Sequence, residues 1–261
     1  MHNMIADMVL FVATLGMQTY IYTSGIVFSG DRQRASLNAD VLKTISSKVT
    51  KLIFNIEAAS SGTYDRIMGT IGCFEKLKQS IRDTHNCGIV AEAHFVPMKP
   101  NISEVKEVIA LCRELSVSKL SFLRLVLHGR AQFNMNEIAL SSEELSDFRI
   151  LLNDLKELSD VDIRIGVPLS LDASCHKCEA ANGKINIKYN GKVYPCEAFK
   201  NDFVKTRLQG LQPQSIYDDS LSDIYRSSQY LRLVREMSRE FAHDDHCETC
   251  IGQYLISRSE E

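Results

Sequence analysis

The sequence has no surplus of basic residues and few glycines or prolines. Its 30 Lys and Arg residues are offset by 33 Asp and Glu residues, so a formal net charge of -3 gives no electrostatic support for nucleic-acid binding. The 13 glycines and five prolines are too few for a fibrous or disordered chain. With 261 residues, 44% of them hydrophobic, the chain is long enough for one large α/β domain with an appendage, or for two domains.

The sequence also lacks an apolar run that could cross a membrane. The stretch from Met8 to Met17 is short of the roughly 20 residues that a spanning helix needs. Asp7 precedes this stretch and no basic segment comes before it, so it is a poor secretory signal. We therefore expect a cytoplasmic protein that binds neither a membrane nor nucleic acid.

Helical and strand patterns alternate from residue 1 to about 166. This alternation predicts an α/β fold with parallel strands joined by crossover helices. The strands read as near-continuous apolar runs, which predicts a sheet covered on both faces. The predicted strands are 17–22, 51–58, 88–96, 119–127 and 161–166, and the predicted helices are 5–15, 39–48, 73–84, 103–115 and 142–158. Ser103 is a predicted helix cap, as is Ser141 or Ser142.

Polar residues follow several of the predicted strands. In parallel sheets the ligand normally lies beyond the carboxyl ends of the strands, so these residues are candidates for a binding site. The alternative is that they only form turns and helix caps. The residues are Thr23, Ser24, Gly25, Glu57, Ser60, Asn101, His128 and Arg130.

The pattern changes from about residue 174 onward. Residues 184–188 and 192–194 flank Asn190 and Gly191, a pair that predicts a β-hairpin, and a helix is expected over 219–239. Five of the eight cysteines lie in this part: Cys175, Cys178, Cys196, Cys247 and Cys250.

The spacing of these cysteines predicts a metal or iron–sulfur site. Two C-x-x-C pairs surround the hairpin, and paired thiolates can occupy neighbouring positions around one centre. Without a secretion signal, disulfides are the weaker interpretation. A four-cysteine zinc site and an iron–sulfur cluster both remain open, although the fifth cysteine fits a plain zinc site less well. Cys73, Cys87 and Cys112 lack such spacing and are expected to be buried structural thiols.

Five stretches of the chain carry a family resemblance. Four of them are YIYTSGI (20–26), FNIEAASSGTYDRIMGTIGCFEKLKQSI (54–81), FVPMKPNISEVKEVIALCRELSV (95–117) and LRLVLHGRA (123–131). The most specific is CEAANGKINIKYNGKVYPCEAFKN (178–201), in which Gly191 precedes Cys196 by five residues. Together they resemble radical S-adenosylmethionine (radical SAM) enzymes with a C-terminal auxiliary-cluster domain of the SPASM or twitch type, and Gly191 and Cys196 have the spacing of the SPASM opening.

The resemblance implies an incomplete (β/α)6 partial TIM-like barrel over residues 1–170, with about four β/α units. A small SPASM/twitch-like domain of a β-hairpin and a helix is then expected over residues 171–261. The sequence departs from the family because it contains no CxxxCxxC motif, which holds the catalytic cluster, and no Gly-Gly-Glu-like strand. We therefore expect a truncated, split or mis-started chain that is not catalytically competent alone.

The resemblance also implies the cofactor sites. One auxiliary 4Fe-4S cluster is expected at Cys178, Cys196, Cys247 and Cys250, with Cys175 as a reserve ligand, because the chain lacks the extra cysteines of a full SPASM domain. S-adenosylmethionine is expected near Ser24 and Asn55, with Glu57 and Arg124 as weaker candidates. Arg124 has two interpretations: it pairs with the S-adenosylmethionine carboxylate, or only with Glu57. No catalytic side chain is predicted.

Three functions follow from these features. The first is the C-terminal portion of a radical SAM enzyme that modifies a peptide or a small metabolite. Its partners are then the substrate, a reductant such as ferredoxin or flavodoxin, and a missing N-terminal segment or partner chain. The alternatives are a non-enzymatic iron–sulfur module and a zinc-bound peptide-binding scaffold.

Overall fold

The computed structural model describes residues 2, 4–29, 33–126, 129–166, 169–171, 178–200, 208, 210–241 and 251. The chain divides into two compact units, Met1–Leu171 and Asp172–Glu261. Within the described ranges, no helix is both long enough and apolar enough to cross a membrane.

The first unit is built on a five-stranded parallel sheet. The order of its strands is β1-β4-β5-β6-β7, so each strand from β4 onward pairs with the sheet strand that precedes it in sequence. Strands β2 and β3 form a separate antiparallel ribbon. The strands are β1 (Tyr20–Thr23), β2 (Val27–Phe28), β3 (Arg34–Ala35), β4 (Lys51–Asn55), β5 (Val90–Phe95), β6 (Lys119–Phe122) and β7 (Asp162–Ile165). The parallel α/β architecture predicted from the sequence is confirmed.

Helices connect the strands of the sheet. They are α1 (Ile5–Thr14), α2 (Ala39–Ile45), α3 (Ser61–Met68), α4 (Phe74–Asn86), α5 (Val105–Glu114), α6 (Arg130–Phe133), α7 (Met135–Ile138) and α8 (Ser142–Leu158), with a 3₁₀ turn at Ile102–Glu104. Helix α8 begins with a reciprocal capping box between Ser141 and Glu144, so Ser141 is the cap of the two predicted alternatives. Ser103 does not cap a helix, because it lies inside the 3₁₀ turn. Helix α3, capped by Ser60, was not predicted, because its Ser-Ser-Gly start is typical of a turn.

The two faces of the sheet differ in polarity. One face is fully buried beneath the helices and includes Leu52, Phe54, Ala91 and Leu120, each 0% exposed. Along β5 the buried residues alternate with less buried ones. Glu92 and His94 are among the less buried residues, so both lie on the opposite face of the sheet. The second face also holds buried residues, since Ile53 is 2% and Ser121 3% exposed, which agrees with the prediction of two covered faces. It nevertheless carries the polar residues of the strands and is called the polar face below.

The second unit contains the predicted hairpin, formed by β8 (Asn186–Ile187) and β9 (Val193–Tyr194). Gly191 lies in its turn with φ +75°, a conformation that L side chains rarely adopt. The single helix predicted over 219–239 is two helices, α9 (Leu221–Ser227) and α10 (Gln229–Phe241). Ser228 separates them because its backbone is extended. A second hydrophobic core includes Phe199, Leu208, Ile224, Tyr230, Leu231 and Val234.

Candidate functional site

The carboxyl edge of the parallel sheet brings polar residues of different strands to one level. Asn55 is in register with His94, His94 with Ser121, and Ser121 with Arg164. These four residues lie on neighbouring strands, from β4 to β7, and define the upper row of the polar face. Such an edge is where open and barrel-like parallel sheets bind their ligands.

The structure places Ser24 and Asn55 at this edge, as the sequence predicts. Ser24 directly follows β1 and is half-buried, and its Oγ lies 3.4 Å from both the nitrogen and the oxygen of Ile26. Asn55 ends β4 and is exposed. Its amide is therefore accessible to a ligand, whereas the Ser24 hydroxyl also shapes the turn.

Glu57 lies two residues beyond β4 and is 7% exposed. Among the described residues, its buried Oε2 atom has no hydrogen-bond partner. Burial raises the pKa of Glu57 to about 7, and a hydrogen bond from the Val96 backbone opposes this only in part. The Glu57 carboxyl can therefore hold or release a proton near neutral pH, and Oε2 has an unused hydrogen-bonding capacity.

Arg124 follows β6 and is half-buried. A nearby guanidinium would lower the pKa of a carboxyl group, but burial dominates at Glu57 and the pKa is raised. The raised pKa of Glu57 therefore does not decide between the two interpretations of Arg124, and both stay predictions.

Asn101 connects the ends of β4 and β5 and is 0% exposed. Its Nδ2 donates to the carbonyl oxygens of Glu57 at 2.9 Å and Val96 at 3.0 Å, and its Oδ1 accepts from the Met98 nitrogen at 2.7 Å. The sequence marks Asn101 only as a polar residue after a strand. In the structure it fixes the backbone that carries Glu57.

Glu104 holds the start of α3 in a similar way. Its Oε2 accepts from the backbone nitrogens of Ala59 and Ser60, each at 2.9 Å, and its Oε1 accepts from the Ser60 hydroxyl at 2.8 Å. Burial acts to raise the pKa of Glu104, but hydrogen bonds from Thr63 and Ser60 and from backbone N–H groups outweigh it and lower the pKa. This ionised carboxylate positions the segment that follows Glu57.

The polar face carries further groups that the sequence reasoning missed. Lys51 and Glu92 form an ion pair at 2.7 Å, and the Tyr22 and His94 rings lie 5.4 Å apart. Burial and the charge of Arg164 lower the pKa of His94. The signal in the sequence was the alternation of charged and apolar residues in VAEAHF. Together these side chains give this face titratable and aromatic groups beside Asn55 and Ser121.

Two of the five predicted cluster ligands, Cys178 and Cys196, are described by the structure, and both are half-buried. Cys175, Cys247 and Cys250 lie outside the described residues. Cys73 and Cys112 are buried, as predicted, and burial raises the pKa of the Cys112 thiol to about 12, whereas Cys87 is only partly buried.

The backbone brings the segments around Cys178 and Cys196 together. The Ala181 nitrogen donates to the Pro195 oxygen at 3.2 Å, next to Cys196, and both cysteines pack against the second hydrophobic core. Tyr230 lies near Cys196, and its ring is 6.3 Å from the Tyr194 ring. Thiols beside an aromatic, apolar wall fit an iron–sulfur cluster, because thiolates are its ligands and a hydrophobic surround limits solvent access.

The comparisons with known proteins agree with this site. Residues 175–251 match the SPASM family model, described as an iron-sulfur cluster-binding domain, which is well under half of the chain. The matched range contains all five cysteines of the predicted site. Comparison with curated protein sequences gives no significant match.

Solved structures share the fold. Streptococcus suis SuiB bound to S-adenosylmethionine has a TM-score of 0.67 at 13% identity, covering 88% of this chain and 53% of that one. SuiB bound to the precursor peptide SuiA has a TM-score of 0.67 at 14% identity, over 88% and 52% of the two chains. Native anSMEcpe with bound AdoMet and Kp18Cys peptide has a TM-score of 0.61 at 13% identity, over 88% and 64%.

At this level of identity the matches show the fold, and the chain spans about half the length of the SuiB structures it matches. The family match locates an iron–sulfur cluster-binding domain within the second unit. The structural matches show that the chain shares its fold with proteins whose structures contain bound S-adenosylmethionine. The resemblance of this chain to radical SAM enzymes with a C-terminal SPASM domain is thus confirmed.

Proposed function

We propose that this chain is the SAM-binding sheet and auxiliary-cluster part of a radical SAM enzyme that modifies a peptide. The observation that carries the proposal is the SPASM match at residues 175–251, which follows a parallel sheet with a polar face. A peptide is favoured over a small metabolite because two proteins of similar fold are bound to peptides. In this proposal residues 1–170 are the barrel part and residues 171–261 the cluster domain.

Four residues at the carboxyl edge would hold S-adenosylmethionine. Ser24 and Asn55 offer a hydroxyl and an exposed amide, Arg124 offers a cation for a carboxylate, and the orphaned Oε2 of Glu57 offers one further hydrogen bond. S-adenosylmethionine bound beside a reduced cluster supplies hydrogen-abstraction chemistry in this family. This part of the protein binds and orients the cofactor, while Asn101 and Glu104 hold the Glu57 segment in place.

One auxiliary 4Fe-4S cluster is proposed at Cys178, Cys196, Cys247 and Cys250, with Cys175 in reserve, as in a twitch-like domain. Tyr194 and Tyr230, which are 3% and 2% exposed, would limit water near Cys196. The hydrogen bonds and solvent exposure of such a cluster set its reduction potential. A reductant such as ferredoxin or flavodoxin would supply electrons in the cytoplasm.

The sequence contains no CxxxCxxC motif, so the cluster that binds S-adenosylmethionine must be supplied by another segment or chain. In this proposal the isolated chain binds S-adenosylmethionine without cleaving it.

The proposal is tested by anaerobic reconstitution with iron and sulfide, followed by visible spectroscopy. We expect the absorbance of thiolate-ligated iron in the wild-type chain, and its loss in a Cys196→Ser, Cys178→Ser double variant. The matched control is Cys87→Ser, which removes another half-buried thiol outside the cluster segment and should retain the spectrum. Stoichiometric zinc binding without iron would instead support the zinc-bound scaffold.

A further inference from the structure

We propose that a basic groove on the first unit binds an acidic, extended segment of the peptide substrate. The groove is lined by Arg34, Lys76, Arg66 and Arg130, with Ile71 and Phe28 as its apolar anchors. The inference rests on the proposed function only in taking the bound peptide to be the substrate.

Three adjoining cavities form the basic groove. A cavity of about 510 Å³ and one of about 690 Å³ share Arg66 and Gly69, and the second shares Arg34 and Ile71 with a third of about 450 Å³. All three are open to solvent, as a surface groove is. Because consecutive cavities share residues, they form one elongated path rather than a single deep pocket, and such a shape suits a chain.

The groove carries more positive than negative charge. Four cationic side chains line it, against the two carboxylates of Asp65 and Glu137. Asp65 is already used within the loop, since its oxygens accept from the Gly72 nitrogen at 2.6 Å and the Cys73 nitrogen at 3.2 Å. Within the described ranges, none of the four cations forms an ion pair with a carboxylate. Their charges are therefore available to an acidic partner. Complementary charge would increase the specificity and the association rate of that partner.

A structured loop holds an apolar side chain outward beside these cations. Ile71 is 91% exposed at the tip of the loop between α3 and α4. Gly69 ends α3 with φ +66°, the Thr70 nitrogen donates to the Asp65 oxygen at 2.9 Å, and the Thr70 hydroxyl donates to the Cys73 sulfur at 3.2 Å. Ile71 lines the same cavity as Phe28, so the two side chains together offer apolar contact to a partner. Phe28 is 71% exposed and lies 6.0 Å below the Arg34 guanidinium.

The basic groove leads to the candidate site. Its first cavity is lined by Met98 and Leu125, which follow β5 and β6 at the carboxyl edge of the sheet. Its other end reaches Phe28 and Arg34 on the β2–β3 ribbon. A peptide lying along the groove would therefore present one end at the edge that carries Asn55 and Arg124. A peptide is favoured over nucleic acid because the net charge of the whole chain is -3 and the anchors include an aliphatic side chain.

The test measures fluorescence anisotropy of a fluorescein-labelled peptide in which Glu alternates with Gly around a central Leu, titrated with the full chain. Each of Arg34→Gln, Arg66→Gln and Arg130→Gln should weaken binding about threefold, as expected for exposed ion pairs. Ile71→Ser should weaken it about tenfold through lost apolar burial. The matched control is Arg226→Gln on α9, which removes an exposed arginine far from the groove in sequence and should leave binding unchanged.

Two further probes decide between partners. The same peptide with Gln in place of Glu should bind at least tenfold more weakly, and added salt should weaken the Glu peptide. The inference is overturned if the groove variants bind the Glu peptide as wild type does, or if a single-stranded oligonucleotide binds more tightly and loses affinity in those variants. Cluster content is measured on the same samples, so a chain that binds iron but not the peptide refutes the groove without refuting the proposed function.

Discussion

Replacing Glu57 with glutamine should change how the stability of the chain depends on pH. Burial raises the pKa of Glu57 from 4.5 to about 7. The folded state therefore keeps this proton at a pH where the unfolded chain has released it. Because the native state binds more protons between these two values, the free energy of unfolding falls as pH rises through them. Above about pH 7 the contribution is lost.

The size of the effect follows from the shift. Each pKa unit corresponds to about 1.4 kcal/mol, so the 2.5 units between 4.5 and 7 correspond to about 3 kcal/mol. Glutamine does not titrate, so the free energy of unfolding of Glu57→Gln should not fall in this way as pH rises. Relative to wild type, the variant should become more stable by about 3 kcal/mol as the pH is raised from 4.5 to 8.

Urea unfolding followed by circular dichroism at several pH values measures this difference. Other titrating groups, including His94, are common to both proteins and cancel in the comparison. Glu104→Gln is the control, because hydrogen bonds lower the pKa of Glu104 and its stabilising contribution is lost as pH falls. Parallel stability curves for wild type and Glu57→Gln would refute the account of Glu57 as a buried carboxyl with a raised pKa.

Two of the three further predictions concern the stability of the first unit, and the third concerns cleavage of S-adenosylmethionine by the whole chain. Asn101→Ala should lower the free energy of unfolding by about 3 kcal/mol, since the three hydrogen bonds of this buried side chain, of about 1 kcal/mol each, are lost; a cost near zero in urea titration would contradict this. Gly25→Ala should cost about 2 kcal/mol by the same assay, because φ is +73° and the new Cβ would lie 3.1 Å from Leu77; unchanged stability would argue against a tight turn. The reduced chain with S-adenosylmethionine should give no 5′-deoxyadenosine above background by chromatography, whereas multiple turnovers would show that it holds a catalytic cluster.

The sequence predicted the elements whose signals are local. Alternating strand and helix patterns predicted the parallel sheet, and Asn190-Gly191 predicted the hairpin. The two serines before the glutamates predicted the start of α8, with Ser141 and Ser142 as alternative caps. The break at Ser228 escaped prediction because serine has no strong preference against helix.

The arrangement of the candidate site depends on contacts between distant segments, and so it was less accessible from the sequence. Asn101 is 44 residues from Glu57, and no local pattern shows that its amide reaches the Glu57 carbonyl. The raised pKa of Glu57 depends on burial, which three-dimensional packing determines. The polar face was missed because β4 and β6 are mostly buried, although VAEAHF in β5 already alternates.

The central claim is that the second unit holds an iron–sulfur cluster on cysteine thiolates. Iron, acid-labile sulfide and zinc measured on one anaerobically reconstituted sample test it most directly. The account predicts about four iron atoms and about four sulfides per chain, with little zinc. One zinc atom per chain with neither iron nor sulfide would contradict it.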